Sequence, residues 1–389
     1  MEVSLIFINF APKYKCALIQ GRDFITSLPQ MDYNNFKKVV ASLFLSFIAI
    51  SIQAQHITNV KQCAQQDMGT WGVPGANYSG IARIGKDDYA LVSDKEKIDG
   101  FYPFTINIDS ITGSVKRIFS NPIIGEMTDS TKLSVRDQEG IAYDSERQTV
   151  FISGEGDQRI IEQTLTGMKT GAELAVPEYF SPTAISPNYG FEALTYSCSD
   201  KLFWTTTEQT LKADGSKSDY GNRQPALLRL QSFGKDLKPV RQYAYRMDAP
   251  EVSEAPRQYA YGVVALTALE DGTLLVLERE FFVAQSFLGS WVKNKLYHIH
   301  PKEAKSIDEN TKLSSLSEDR FLKKEKVTEF TTKLSLTNRS LANYEGMCLG
   351  PRLADGRFTL LLVSDSQNNY GNRLFHLKDF IKVITFEYR

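Results

Sequence analysis

Asp137-Gln138-Glu139-Gly140-Ile141-Ala142-Tyr143, followed across a turn by Thr149-Val150-Phe151-Ile152-Ser153-Gly154-Glu155, is a short apolar run that starts on carboxylates and a second that ends on one. β-Branched and aromatic residues in runs this short, separated by polar turn residues, predict two antiparallel strands. The pattern returns. Phe191-Glu192-Ala193-Leu194-Thr195-Tyr196 leads through residues 201–207 to Glu208, and Tyr344-Glu345-Gly346-Met347-Cys348-Leu349 leads through residues 358–364 to Asp365. Glu139 to Glu155 and Glu192 to Glu208 share a spacing of 16 residues, and the third copy is longer by the insertion 350–356.

Working outward, the same opening occurs at 80–84 with 89–93 and Asp94, and at 262–266 with 273–277 and Glu278. Two further short runs follow each opening: 104–108 and 115–119; 159–165 and 173–176; 226–230 and 240–245; 295–299 and 327–331; 373–377 and 383–387. Helical periodicity of useful length is absent, and 301–326 reads as a polar loop. Repeats of roughly 50–80 residues with four strands each predict an all-β fold, a β-propeller of four-stranded antiparallel blades. Five repeats are visible. Ile57-Thr58-Asn59-Val60 supplies an extra strand, and a degenerate sixth blade could hide in 209–225 or 301–326. A sandwich or two small β domains is the competing architecture.

Lys37 and Lys38 precede an apolar run over 39–52, and residues 52–54 have the small or apolar character that a signal peptidase reads. We expect residues 1–30 to be an upstream extension, Met31 the true start, 31–54 a secretory signal and 55–389 the folded domain. The apolar run is shorter than the ~20 residues of a membrane span. A secreted or periplasmic protein with no stable span after cleavage follows. The formal net charge is −1, without the basic excess of a nucleic-acid binder. Beyond the leader, Cys63, Cys198 and Cys348 are too few for a disulfide framework, although one bridge is allowed.

In a propeller blade the first strand lines the central channel and the second returns beside it. Acids at the start of the first strand and the end of the second therefore share one rim. We expect Glu139, Glu192, Glu345, Glu278 and Asp94 as metal ligands, with Glu155, Glu208 or Asp365 as general base. Arg279 or Arg136 would clamp developing charge, and Arg159, Arg223 and Arg339 are also near in sequence. Asn188, Arg223 and Tyr261 are expected at the substrate. Oxygen-only ligands point to Ca²⁺. Each acid could instead cap a strand end or hold an arginine. There is no G-x-S-x-G elbow and no H-E-x-x-H. His298 and His300 alternate on one strand, which allows a metal pair, but a satisfied surface position is the simpler reading.

The ordered set Asp137-Gln-Glu-Gly140-Ile, Asn188-Tyr-Gly-Phe-Glu192-Ala-Leu, Leu275-Val-Leu-Glu278-Arg279 and Tyr344-Glu-Gly-Met347 resembles the "esterase-like activity of phytase" family over about residues 75–380. Tyr189 stands where that family's motif has arginine, which weakens an anion-binding role there. The resemblance implies a secreted propeller hydrolysing phosphoesters or carboxylesters. Three functions remain in view: a Ca²⁺-dependent phosphoester hydrolase, a carboxylester or lactone hydrolase, and a non-catalytic binding propeller of the cell envelope. A monomer acting on a small ester or phosphoester is expected, with no nucleic-acid partner.

Overall fold

Each two-strand opening folds as the inner pair of one blade. The computed structural model describes residues 55–389 apart from 95, 128–135 and 373–374; the expected leader and the extension before it lie outside the described residues. Blade 1 comprises Tyr78–Arg83, Asp88–Ser93, Ile98–Ile108 and Val115–Ser120. Blade 2 comprises Gln138–Asp144, Thr149–Gly154, Ile160–Thr164 and Lys169–Glu173. Blade 3 comprises Phe191–Ser197, Leu202–Thr207, Leu227–Phe233 and Pro239–Arg246, and blade 4 comprises Gln258–Ala268, Leu274–Val283, Trp291–Ile299 and Lys324–Lys333. In blade 5, Asn343–Leu349, Phe358–Asp365 and Phe380–Tyr388 are followed outward by Ile57–Gln62, from the other end of the chain.

The inner strands touch in the cyclic order of blades 1, 2, 3, 4, 5 and back to 1. The ring is therefore closed with five blades, and no sixth is found among the described residues. Residues 209–225 form a connection, while 301–326 carry three single-turn 3₁₀ segments that seat Leu313 and Phe321 against Ala244 of blade 3.

Two outer-strand expectations need correcting. The fourth strand of blade 2 is Lys169–Glu173 rather than 173–176, because Gly167, at φ 81°, turns the chain directly after Thr164. In blade 5, the described part of the expected third strand is extended at His376–Leu377, and it pairs in parallel with Ser340–Leu341 outside the blade. The closing strand takes the vacated outer place, with Ile57 opposite Tyr388 and Gln62 opposite Ile384.

A separate apolar layer fills each gap between blades. Leu91 and Ile106 meet Leu361 and Val383 between blades 1 and 5, and Val92 meets Ile141 and Ile152 between blades 1 and 2. Phe151 packs against Phe203 between blades 2 and 3, with ring centroids 4.4 Å apart and the planes tilted by 54°. Trp204 and Tyr243 pack against Val263 and Val276 between blades 3 and 4, and Leu275 against Leu360 between blades 4 and 5. Removing one ring, as in Phe203→Ala, costs about 3–5 kcal/mol. Cys63, Cys198 and Cys348 are all unbridged, so the single allowed disulfide is not made. Among the described residues no helix is long and apolar enough to cross a membrane.

Candidate functional site

The inner strand pair of every blade carries a β-bulge at the same place. Register slips between Tyr78 and Gly80, Gln138 and Ile141, Phe191 and Ala193, Val263 and Ala265, and Tyr344 and Gly346. A bulge leaves one residue unpaired and re-aims its side chain. In blade order the bulged residues are Ser79, Glu139, Glu192, Val264 and Glu345, and all five line the central channel. The void between them is narrow, with room for about one water or one ion.

Small residues after the bulge let the inner strands approach. A Cβ on Gly80 would lie 2.4 Å from the Glu139 carbonyl oxygen, and one on Gly140 would lie 2.7 Å from that of Glu192. Glycine at these two positions is thus a packing requirement of the hub.

The second strands contribute another ring. Asp94, Glu155 and Glu208 donate their N–H groups to the carbonyls of Asn77, Asp137 and Gly190, while Arg279 and Asp365 lie opposite Gly262 and Asn343. These five positions are equivalent. Blade 4 therefore presents Arg279 to the rim, and the expected ligand Glu278 is misplaced by one residue. Strand alternation turns Glu278 away, where it accepts from Lys324 Nζ at 2.7 Å, Tyr245 Oη at 2.7 Å and the Asp248 N–H at 3.2 Å.

Rim side chains lean onto the next blade. Glu155 accepts from the Gly190 N–H at 2.9 Å, and Glu208 lies over Gly262, where a Cβ would meet its Cγ at 2.1 Å. Arg279 donates to Asn343 Oδ1 at 2.9 Å and Glu345 Oε1 at 3.1 Å of blade 5, and to Glu208 Oε1 at 2.7 Å of blade 3. Asn343 also donates to Glu345 at 2.8 Å. Arg279 is the one cation shown within this ring among the described residues.

No hydrogen bond or ion pair reaches the Glu139 or Glu192 carboxylate among the described residues, although these residues are only 6% and 9% exposed. Oxygens of Asp94, Asp137 and Glu139 lie within 4.8 Å of one another, as do those of Glu139, Glu155 and Glu192. Glu139 belongs to both groups. Burial first, then Glu192, Asp94, Glu345 and Glu155, pushes its pKa well above the usual range. Glu192 rises through burial and Glu208, and Asp365 through burial, Glu345 and Asp94. Glu208 is pushed up to about 8: burial is the largest cause, Arg279 opposes it, and Glu155 and Glu345 reinforce it. Such a cluster holds protons or a cation. Its donors are all oxygens, two of its carboxylates have no donor, and a hard cation such as Ca²⁺ fits that set.

The phytase-like family model, described as esterase-like activity of phytase, matches residues 74–370. The chain belongs to that family. Among curated proteins no match is found. Of solved structures, an endo-arabinase from Bacteroides thetaiotaomicron is similar at 11% identity and TM-score 0.41, covering 83% of this chain and 96% of that one. A luciferin-regenerating enzyme is similar at 11% identity and TM-score 0.39, covering 82% and 95%. Both likenesses are loose and bear on no chemistry.

The remaining expected residues of this phytase-like chain do not join the ring. Arg136 is buried between Asp99 Oδ1 at 3.2 Å, Asp157 Oδ2 at 3.1 Å and the Ile152 carbonyl at 2.7 Å, a structural tie rather than a free clamp. Asn188 and Arg223 are exposed turn residues at φ 59° and 51°. Tyr261 is buried between blades 3 and 4 with its hydroxyl donated to the Asp248 carbonyl at 2.6 Å. Arg159 pairs with Glu173 at an exposed edge, and Arg339 is exposed. Sequence reasoning missed Asp137 and Asn343 as site residues, and Gly190 and Gly262 as the gaps that admit Glu155 and Glu208. A glycine two residues before the bulge, repeated in blades 3 and 4, was the available sign.

Proposed function

We propose that this chain is a secreted Ca²⁺-dependent phosphoester hydrolase whose reaction centre is the acidic mouth of the channel. The observation that carries the reading is Glu139, buried, without a donor, and shared by two groups of three carboxylates. Asp94, Asp137, Glu139, Glu155 and Glu192 would hold Ca²⁺, with Glu345 and Asp365 completing the ring. Bound there, the cation would supply Lewis acidity toward a phosphoryl oxygen and a water of lowered pKa. The void takes only a body of about one water's size, so the substrate lies over the mouth and inserts no more than a reacting oxygen. Glu208, whose pKa burial pushes up against the pull of Arg279, is the group suited to general-acid work. Arg279 holds Glu208 and Glu345 in place, and its buried Nε–H has no acceptor of its own. Family membership supports an ester-cleaving reading and leaves the ester open.

The test is turnover of p-nitrophenyl phosphate and phytate by the purified protein in Ca²⁺ and in EGTA, with Glu139→Gln alongside. Activity that EGTA and the substitution both abolish is expected. Cleavage of short acyl esters or lactones with phosphoesters inert would select a carboxylester hydrolase. No turnover at all would leave a binding propeller of the envelope. Export through residues 31–54 is part of the proposal and is checked by the mass of the exported chain.

A further inference from the structure

Three of the chain's four histidines, none of them lining the channel, gather at the seam between blades 4 and 5. His298 lies on the third strand of blade 4, His300 follows the end of that strand, and His56 stands at the foot of the closing strand. Glu325 is paired with His298 in register on the outer strand. One donor atom from each of His298, His300 and Glu325 lies within 4.8 Å of the others. The two imidazoles are 4.4 Å apart between centroids, and His56 Nδ1 is 3.4 Å from Glu325 Oε2. His298 is not the surface residue that its sequence suggested: it is 1% exposed.

The hydrogen bonds behind His298 engage one of its two ring nitrogens. Nε2 lies 2.8 Å from Thr273 Oγ1. The Thr273 hydroxyl donates to Asp271 Oδ1 at 2.8 Å, and the Tyr388 hydroxyl donates to Asp271 Oδ2 at 2.6 Å. With both hydroxyl protons given to one carboxylate, Thr273 accepts from His298, and Nε2 is the protonated nitrogen. Nδ1 is then a bare lone pair, buried and without any partner. A buried acceptor of that kind is costly unless something binds it. A carboxylate acting through a hydroxyl on the far nitrogen is also how metal-binding imidazoles are oriented.

We propose that His298, His300 and Glu325, with His56 as fourth donor, bind a dication of the zinc class at the point where the ring is closed. Imidazole nitrogens with one carboxylate suit four-coordinate Zn²⁺, whereas the all-oxygen channel mouth suits a harder ion. The position gives the metal a role. The His56 N–H donates to the Arg389 carbonyl at 2.8 Å, and Arg389 N–H returns a bond at 3.3 Å. The site therefore joins the beginning of the closing strand and the last residue of the chain to the outer edge of blade 4. A metal there staples the closing strand of blade 5 in place and resists opening of the ring.

The full chain, stripped with chelator and re-equilibrated in saturating Ca²⁺ to occupy the channel, is titrated calorimetrically with ZnCl₂ and scanned optically with Co²⁺. One Zn²⁺ per chain, visible Co²⁺ bands of nitrogen–oxygen ligation and a raised melting temperature are expected. His300→Ala and Glu325→Gln, both away from the core, should melt like wild type without zinc and lose its binding. Thr273→Val should weaken binding by about 10–100-fold. Glu139→Gln in the channel should leave it unchanged. Failure of the wild-type chain to take up Zn²⁺, or wild-type affinity in His300→Ala and Glu325→Gln, would overturn the site. Unaltered affinity and melting in His56→Ala would overturn its closure role.

Discussion

Glu139 and Arg279 show how one residue's placement sets the chemistry of the mouth. Glu139 is a buried carboxyl group without a donor, so Glu139→Gln takes away a titratable group while keeping shape. In EGTA this variant should be more stable than wild type by roughly 1–3 kcal/mol, the scale of one unsatisfied buried polar group. In Ca²⁺ the order should reverse, because wild type gains stability from binding and the variant does not. Chemical denaturation with and without Ca²⁺ checks both signs. Arg279→Met does the opposite, leaving Glu208 and Glu345 buried without their cation, and should cost about 3–5 kcal/mol. The sequence made the acids of blades 2, 3 and 5 legible because strand and acid recur together. It concealed the exchange in blade 4, where Glu278 and Arg279 are neighbours: only the bulge at Val264 decides which of them faces the channel.

At the scale of strands, local pairing was readable and closure was not. Inner hairpins are short, apolar and bounded by turn residues, so each declares itself within about 20 residues of chain. The outer strand of blade 5 is Ile57–Gln62, paired with residues more than 300 positions away in sequence. Nothing in its own exposed, polar composition names that partner. Deleting through Gln62 should therefore cost more than losing a terminal tail. The outer edge of Phe380–Tyr388 would be left unpaired, and its free N–H and C=O groups would recruit other chains. We expect a lower melting temperature and concentration-dependent oligomers by light scattering, whereas a chain beginning at Gln55 should melt as the full chain does. Gly140→Ala tests the hub in the same way: its Cβ meets the Glu192 carbonyl oxygen and Ser153 Oγ, both at 2.7 Å, for a loss of about 1–3 kcal/mol from overpacking.

For the whole molecule, the acidic mouth ties stability to pH and, through the proposed ion, to Ca²⁺. Burial pushes Glu208 up to about 8 in the folded chain from an ordinary 4.5, and Glu139, Glu192 and Asp365 shift in the same direction. Asp379, which accepts the N–H groups of Ser366 at 3.0 Å and Ala76 at 3.1 Å, is raised by burial to about 7. Between the ordinary and the raised value the folded chain binds more protons than the unfolded one. Stability from this source is thus complete below about pH 4 and declines as pH rises through about 8. In EGTA, the melting temperature should fall across that interval. The proposed Ca²⁺ would compete with those protons for the same oxygens, so it should bind more tightly at pH 8 than at pH 5 and flatten the decline. Glu208→Gln should reduce the slope without Ca²⁺, whereas Asp379→Asn should reduce it equally with and without Ca²⁺, since Asp379 serves Ser366 and Ala76. A flat profile in EGTA would mean that the rim charges are balanced by the protein alone, and the channel would then have no need of an ion.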